Sequence, residues 1–270
     1  MLGRLTEANQ LQALNVLVTR PTHQAESLCQ LLTGYGADVV KFPLLEILDP
    51  DNPAELTQCV EQLESYDWVI FVSVNAIQRA IPAILERRKW PEKSRIAVIG
   101  KSSAAALKTF GLKADACPEV QFDSEGLLNL PVMQQVAGLR VVIFRGNSGR
   151  EKLANTLRAR GASVDYVECY RRAKPAMDSH NPDDLGKITH TDVALINSAE
   201  SLNNLLELFS GQSLADLLKV QLLVVSQRLV DIAKQAGFVK PPLVAENATD
   251  GAVLAALLDW QHRYRPQTDT

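Results

Sequence analysis

The chain has 270 residues, 46% hydrophobic, 22% charged and 6% aromatic, with a formal net charge of −3. At roughly 100–200 residues per domain this is one large domain or two small ones, and the ordinary composition excludes disorder, collagen-like repeats and a coiled coil. The 28 Lys and Arg are outnumbered by 31 Asp and Glu, so the basic stripe expected of a nucleic-acid binder is missing and an anionic ligand would need local donors. The longest apolar runs, at 69–72, 141–144 and 222–225, fall far short of the roughly 20 residues of a membrane-spanning helix. Residues 1–14 lack the apolar stretch of a secretory signal and read as a short polar extension, and a cytoplasmic location is expected. Cys29, Cys59, Cys117 and Cys169 form no CxxC pair, and His23, His180, His190 and His262 are scattered. Buried reduced thiols and no metal site are expected.

In chain order, residues 16–19 read as a strand. A helix follows, carrying Ala25, Leu28, Leu31 and Leu32 and ending near Gly34 and Gly36. Residues 39–48 read as an edge or linker strand, because Pro43 argues against a central one. A strand at 69–72 precedes a helix at 76–87, and a strand at 96–99 precedes a helix at 102–110 that Gly111 ends. Residues 124–130 read as a helix opened by a Ser124 cap. The plan then repeats: strand 141–144, helix 152–160, linker strand 164–172, strand 193–196, helix 201–209, strand 222–225 and helix 230–237. Thr249 caps a last helix over 251–262.

The two passes keep register. Val16 and Val141, Gly36 and Gly161, and Asp67 and Asp192 each stand 125 residues apart, and Ile96 and Leu222 stand 126 apart. The chain is therefore read as an internal duplication. Fully apolar strands alternating with helices predict an α/β fold of two doubly wound parallel-sheet domains joined by a β linker.

In open α/β sheets, ligands bind beyond the carboxyl ends of the strands. There the chain is polar: Thr19-Arg20 and Arg145-Gly146-Asn147-Ser148-Gly149-Arg150, Ser73-Val74-Asn75 and Asn197-Ser198, and Gly100-Lys101-Ser102-Ser103 and Ser226-Gln227-Arg228. Small hydroxyl residues at helix starts leave backbone N–H groups open to carboxylates or phosphates, although the same types serve simply as caps in most α/β proteins. The loop at 145–150 is neither GxGxxG nor a Walker loop, which argues against dinucleotide and phosphotransfer enzymes, and it also reads as a plain turn. No GxSxG elbow or His-containing triad is present. Tyr170 reads either as a packed amphipathic residue or as a phenol donating a proton inside a cleft.

LVTRP (17–21), FPLLEI (42–47), Ser73 with Asn75-Ala76, IGKSSAAAL (99–107), FRGNSGREKLANTLRARGA (144–162), VECYRR (167–172) and VVSQRLVDIAKQAG (224–237) together resemble the uroporphyrinogen-III synthase family over about residues 15–260. The resemblance implies a two-stranded linker (39–48 and 164–172) and a swapped connectivity, with 1–38 joining 173–270 and 49–163 forming the other domain. It implies cyclisation of hydroxymethylbilane, handed over by hydroxymethylbilane synthase, to uroporphyrinogen III, without cofactor, by a monomer that binds neither nucleic acid nor membrane. Tyr170 occupies the position of the implied proton donor. Ser73, Ser103 and Ser198 match hydroxyl positions lining the implied cleft. Arg20, Asn75, Ser102, Arg145, Gly146, Asn147, Gly149, Ser226 and Thr249 complete the expected substrate contacts. Ser226 stands where the family has Gly, and Leu229 where it often has Thr. The alternative is a non-catalytic, two-lobed binding or sensor protein for an anionic small molecule.

Overall fold

The computed structural model describes residues 10–149, 151–176, 186–188 and 190–264. The expectations on residues 1–9, Arg150 and His180 lie outside the described residues. Residues 10–14 are not a polar extension. Leu11 and Leu14 are buried in the core, and the Leu11 N–H donates to the Tyr35 carbonyl at 2.8 Å. Two leucines among polar neighbours are enough to anchor the segment.

The chain divides into two units, residues 1–46 with 173–270, and residues 47–172. The first holds a five-stranded sheet. Its strands are β1 (Asn15–Val18), β2 (Asp38–Lys41), β8 (Val193–Ile196), β9 (Gln221–Val224) and β10 (Leu243–Val244), in the order β10-β9-β8-β1-β2. Every adjacent pair is parallel. Parallel strands must be covered on both faces, which explains their unbroken apolar runs. Val16, Val18, Val193, Leu195 and Leu223 meet helices Thr22–Gly34 and Asp250–Tyr264. Leu17, Ala194, Ile196, Leu222 and Val224 meet helices Ala199–Leu206, Gly211–Leu217 and Gln227–Gln235. The period of two along each strand decides which side chain enters which layer.

The second unit holds β3 (Glu46–Leu48), β4 (Trp68–Phe71), β5 (Arg95–Val98), β6 (Arg140–Gly146) and β7 (Ser163–Ala173), ordered β3-β7-β6-β4-β5. Trp68, Ile70, Val141 and Ile143 pack with Leu127, Leu153 and Leu157 on one face. Phe71 and Phe144 stack at 5.2 Å between centroids. Residues 39–48 thus divide between β2 in one sheet and β3 in the other, with Pro43 in the irregular stretch between. Residues 164–172 lie within β7, next to β6.

Each sheet draws strands from both sequence repeats, and the registers coincide. Val16 pairs with Val39 and Val193, and Val141, 125 residues on from Val16, pairs with Val164 and Trp68. Val164 likewise stands 125 residues after Val39, and Val193 after Trp68. The helices Pro53–Glu61, Pro131–Gln134 and Gly211–Leu217 were not anticipated. All are short, and short helices give little periodicity to read.

Candidate active site

β6 and β7 run in step until their ends. Arg145 faces Glu168, but Gly146 faces Tyr170, so the pairing skips Cys169. Such an irregularity re-aims the side chain that follows it. Here the Tyr170 ring lies over Gly146, and a Cβ on that glycine would come 2.6 Å from Cε2 and 2.7 Å from Cζ. The phenol occupies room that only glycine leaves.

Ser73 follows β4 and caps the helix Val74–Arg87. Its Oγ accepts from the Ala76 N–H at 3.0 Å and lies 3.1 Å from the Tyr170 hydroxyl oxygen. The cap holds the serine in place, and the helix N-terminus adds a partial positive charge nearby. Tyr170 is 2% exposed. With Ser73 it lines a pocket of about 190 Å³ that also takes in Ser124, Ser148, Tyr166, Arg172 and the aliphatic Val72, Ile99 and Ile143.

Arg145 and Gly149 line the same pocket, but the guanidinium is occupied. Its Nη1 donates to Glu151 Oε1 at 2.7 Å, its Nη2 to the Gly149 carbonyl and its Nε to the Gly146 carbonyl, each of the latter at 3.2 Å. The Tyr166 ring lies 4.6 Å from the guanidinium carbon. The hydrogen bond from Arg145 holds the Glu151 carboxyl below the usual carboxylate range. Burial, followed by the Glu151 carboxylate, pushes the Tyr166 phenol up. Gly149 has φ +150° and packs on Arg145. Asn147 points to the chain itself: its Oδ1 accepts from the Arg172 N–H at 3.0 Å, tying the turn to β7.

Ser124 does not cap its helix, Ser124–Leu128. Asp123 does, accepting from the Gly126 N–H at 2.9 Å. A carboxylate one position earlier wins the cap and leaves the serine to line the pocket. Burial pushes the thiols of Cys59 and Cys169 up to about 12, so the cysteine beside Tyr170 is inert as a nucleophile. Cys117 is half-buried, unlike the expected buried thiol, because it sits in a loop. Among the described residues no three His, Cys, Asp or Glu gather as a metal site. No helix among them is long and apolar enough to cross a membrane.

Of the expected contacts, the structure therefore brings together Ser73, Arg145, Gly146, Gly149 and Tyr170, with Asn147 bracing the turn. Asn75 stands half-buried in the first turn of Val74–Arg87. Ser102, exposed, and Ser103, buried, stand in the first turn of Lys101–Lys108. None of these three lines the pocket. Arg20, Ser198, Ser226 and Thr249 belong to the other unit. There Arg20 is buried, with Nη1 2.5 Å from Asp250 Oδ1 and Nη2 2.9 Å from the Ala248 carbonyl. Ser198 caps its helix, accepting from the Ser201 N–H at 3.0 Å. Thr249 Oγ1 accepts from the Ala252 N–H at 3.4 Å. Ser226 is an exposed N-cap position without a side-chain cap bond. Tyr166 and Glu151 escaped the sequence reading, which had Ser124 only as a cap and Ser148 only as a member of the strand-end loop. Ser148 and Glu151 lie in or next to the RGNSGR loop, whose density of polar residues is the one signal that pointed to them.

Two parallel α/β units, one with a hydroxyl pair walled into a strand-end pocket, define an α/β protein with an enzyme-like site. The family model described as "Uroporphyrinogen-III synthase HemD" matches residues 26–255. The uroporphyrinogen-III synthase of Escherichia coli K12 is 34% identical over 246 residues, covering 90% of this chain and 100% of that protein. The enzyme of the same name from Salmonella typhimurium is 36% identical over 251 residues, with 90% and 100% covered. Among solved structures, a mutant uroporphyrinogen III synthase of Thermus thermophilus superposes with a TM-score of 0.62 at 20% identity, covering 94% of this chain and 100% of that one. The Helicobacter pylori uroporphyrinogen-III synthetase gives 0.56 at 12% identity, covering 93% and 100%. The two structures share the fold. The chain belongs to the uroporphyrinogen-III synthase family.

Proposed function

We propose that this chain cyclises hydroxymethylbilane to uroporphyrinogen III, with loss of water and inversion of ring D, and that Tyr170 is its proton donor. The observation that carries the assignment of Tyr170 is the hydroxyl pair it forms with Ser73 in the pocket. Ser73 Oγ already accepts from a backbone N–H. Its own proton is free to turn toward the phenol oxygen, and the phenol proton then faces the pocket. Tyr170 gives that proton to the terminal hydroxyl, the C–O bond breaks and water leaves. The pyrrole that carried it is left with a cationic methylene. Ring D attacks this carbon through its substituted position, giving a spirocyclic pyrrolenine. The bond from the spiro centre to its original bridging methylene then breaks, that methylene bonds to the free α-carbon of ring D on the other side of the ring nitrogen, and loss of the proton from that carbon completes the macrocycle. The Ser73 hydroxyl and the helix N-terminus stabilise the phenolate between these steps.

The substrate also closes unaided to the wrong isomer, so catalysis consists largely of holding the chain in the productive fold away from water. Backbone N–H groups at helix starts, among them those at Ser102, Ser103, Ser198 and Ser226, are the donors for acetate and propionate groups in this reading, while the Thr249 N–H is already given to Asn247 Oδ1 at 2.9 Å. Arg20 is not a donor, because its charge is committed to Asp250. The same reading makes the protein a cytoplasmic monomer that receives its substrate from hydroxymethylbilane synthase. The test is direct. Fresh hydroxymethylbilane mixed with the protein yields isomer III, whereas a binding or sensor protein leaves the spontaneous isomer I.

A further inference from the structure

We propose that Arg145 and Glu151 form a pair of positioning residues that fixes the turn after β6 beneath Tyr170, and that Arg145 is not a ligand for a substrate carboxylate. The inference rests on the reading of Tyr170 as the proton donor. Cationic side chains beside the site of a polyanionic substrate invite assignment as ligands, but each of the three nitrogens of the Arg145 guanidinium already donates within the chain. Glu151 holds Nη1, and the carbonyls of Gly149 and Gly146 hold Nη2 and Nε. The Tyr166 ring covers a face at 4.6 Å. An incoming carboxylate would compete with Glu151, which is already paired with a largely buried arginine.

What the guanidinium grips is informative. Gly146 is the residue whose missing Cβ makes room for the phenol ring, and Gly149 is the far side of the same turn. Arg145 thereby fixes the floor on which Tyr170 rests, and Glu151 fixes Arg145. A shift of this floor moves the phenol hydroxyl relative to Ser73, and small displacements of a reacting group are costly. The groups facing Glu151 are Arg145 from β6, Tyr166 from β7 and Arg158 from the helix Lys152–Ala159. All three favour the pair or leave it intact at neutral pH.

The test measures kcat and KM for type III formation in R145M, R145K, E151Q and the R145M/E151Q double variant. A positioning pair predicts that R145M and E151Q each lower kcat by between about tenfold and about a hundredfold, with KM little changed. The double variant falls no further than R145M, because both changes release the same turn. R145K does not rescue, since one ammonium cannot span three acceptors. E151Q that lowers KM at unchanged kcat would overturn the proposal, because it would mean the freed arginine binds a carboxylate. So would an R145M defect confined to KM and restored by R145K, additive single defects, or wild-type rates throughout. Should R145M fail to fold, E151Q carries the test alone, since its carboxylate is about half exposed. Type III synthesis by the unmodified protein in the same assay separates failure of this inference from failure of the assigned reaction.

Discussion

The two units apply one plan to different ends, and equivalent positions show how. Ser73 and Ser198, 125 residues apart, both cap a helix by accepting from the N–H three residues on, at 3.0 Å in each case. In the first-described unit that third residue is Ser201, and the Ser198 hydroxyl turns to it at 2.8 Å. In the other it is Ala76, which offers no partner, and the Ser73 hydroxyl meets Tyr170 instead. The place of Tyr170 is taken in the first unit by Leu45, and that of Gly146 by Pro21. The arginines diverge in the same way. Arg20 pairs with Asp250, to which Ser27 also donates at 2.6 Å. At the equivalents of Ser27 and Asp250, Lys152 pairs with Glu125, leaving Arg145 to Glu151 and the turn. The same scaffold thus gives a serine cap that bonds within its own helix in one unit and a hydroxyl pair in a pocket in the other. Neither a cap nor an arginine identifies a site, and the substitution of its partners does.

The comparison can be broken by removing the tyrosine. Tyr170→Phe lowers type III formation by about a hundredfold or more, the lower range for loss of a general acid, and by more than any Ser→Ala at a helix cap. Next comes Gly146→Ala, whose Cβ would meet the phenol ring. It is expected to displace Tyr170 and cost about 1–3 kcal/mol of stability, read by thermal melting alongside product analysis. Ser73→Ala and Ser198→Ala sharpen the contrast. Each loses a cap worth about 1 kcal/mol, so the two melt alike, but only Ser73→Ala slows type III formation. The smallest effect is on pH. Glu151 has a lowered pKa because Arg145 bonds to it, so its pairing is complete above the ordinary carboxylate range. The pairing is lost as the pH falls through that lowered value. Type III rates of the unmodified protein therefore fall there, along an acid limb that E151Q lacks.

Much of this was legible in advance because it rests on local pattern. The apolar runs 69–72, 141–144 and 222–225 overlap β4, β6 and β9, each within a residue or two at its ends. The 125-residue offset recovers even the pairing register. What stayed hidden depends on three dimensions. That β1 and β2 lie beside β8 and β9, and β6 and β7 beside β4 and β5, follows from no periodicity, and only the family resemblance implied it. The skipped pairing at Cys169 is likewise invisible in VECYRR, yet it seats Tyr170 over Gly146. Ser124 looked like a cap because serines usually are, and Asp123 took the role by standing one residue earlier. Arg145 looked like a ligand because its hydrogen-bond partners are two carbonyls, which every residue has, and a glutamate six residues on.

The central claim is that the hydroxyl pair of Ser73 and Tyr170 makes one strand end of this duplicated fold catalytic. The most direct measurement is the isomer ratio formed from fresh hydroxymethylbilane by the unmodified protein and by Tyr170→Phe, with Ser198→Ala as the matched change in the other unit. The unmodified protein and Ser198→Ala are expected to give isomer III, and Tyr170→Phe to give chiefly the spontaneous isomer I. Isomer III from Tyr170→Phe at the rate of the unmodified protein would contradict it.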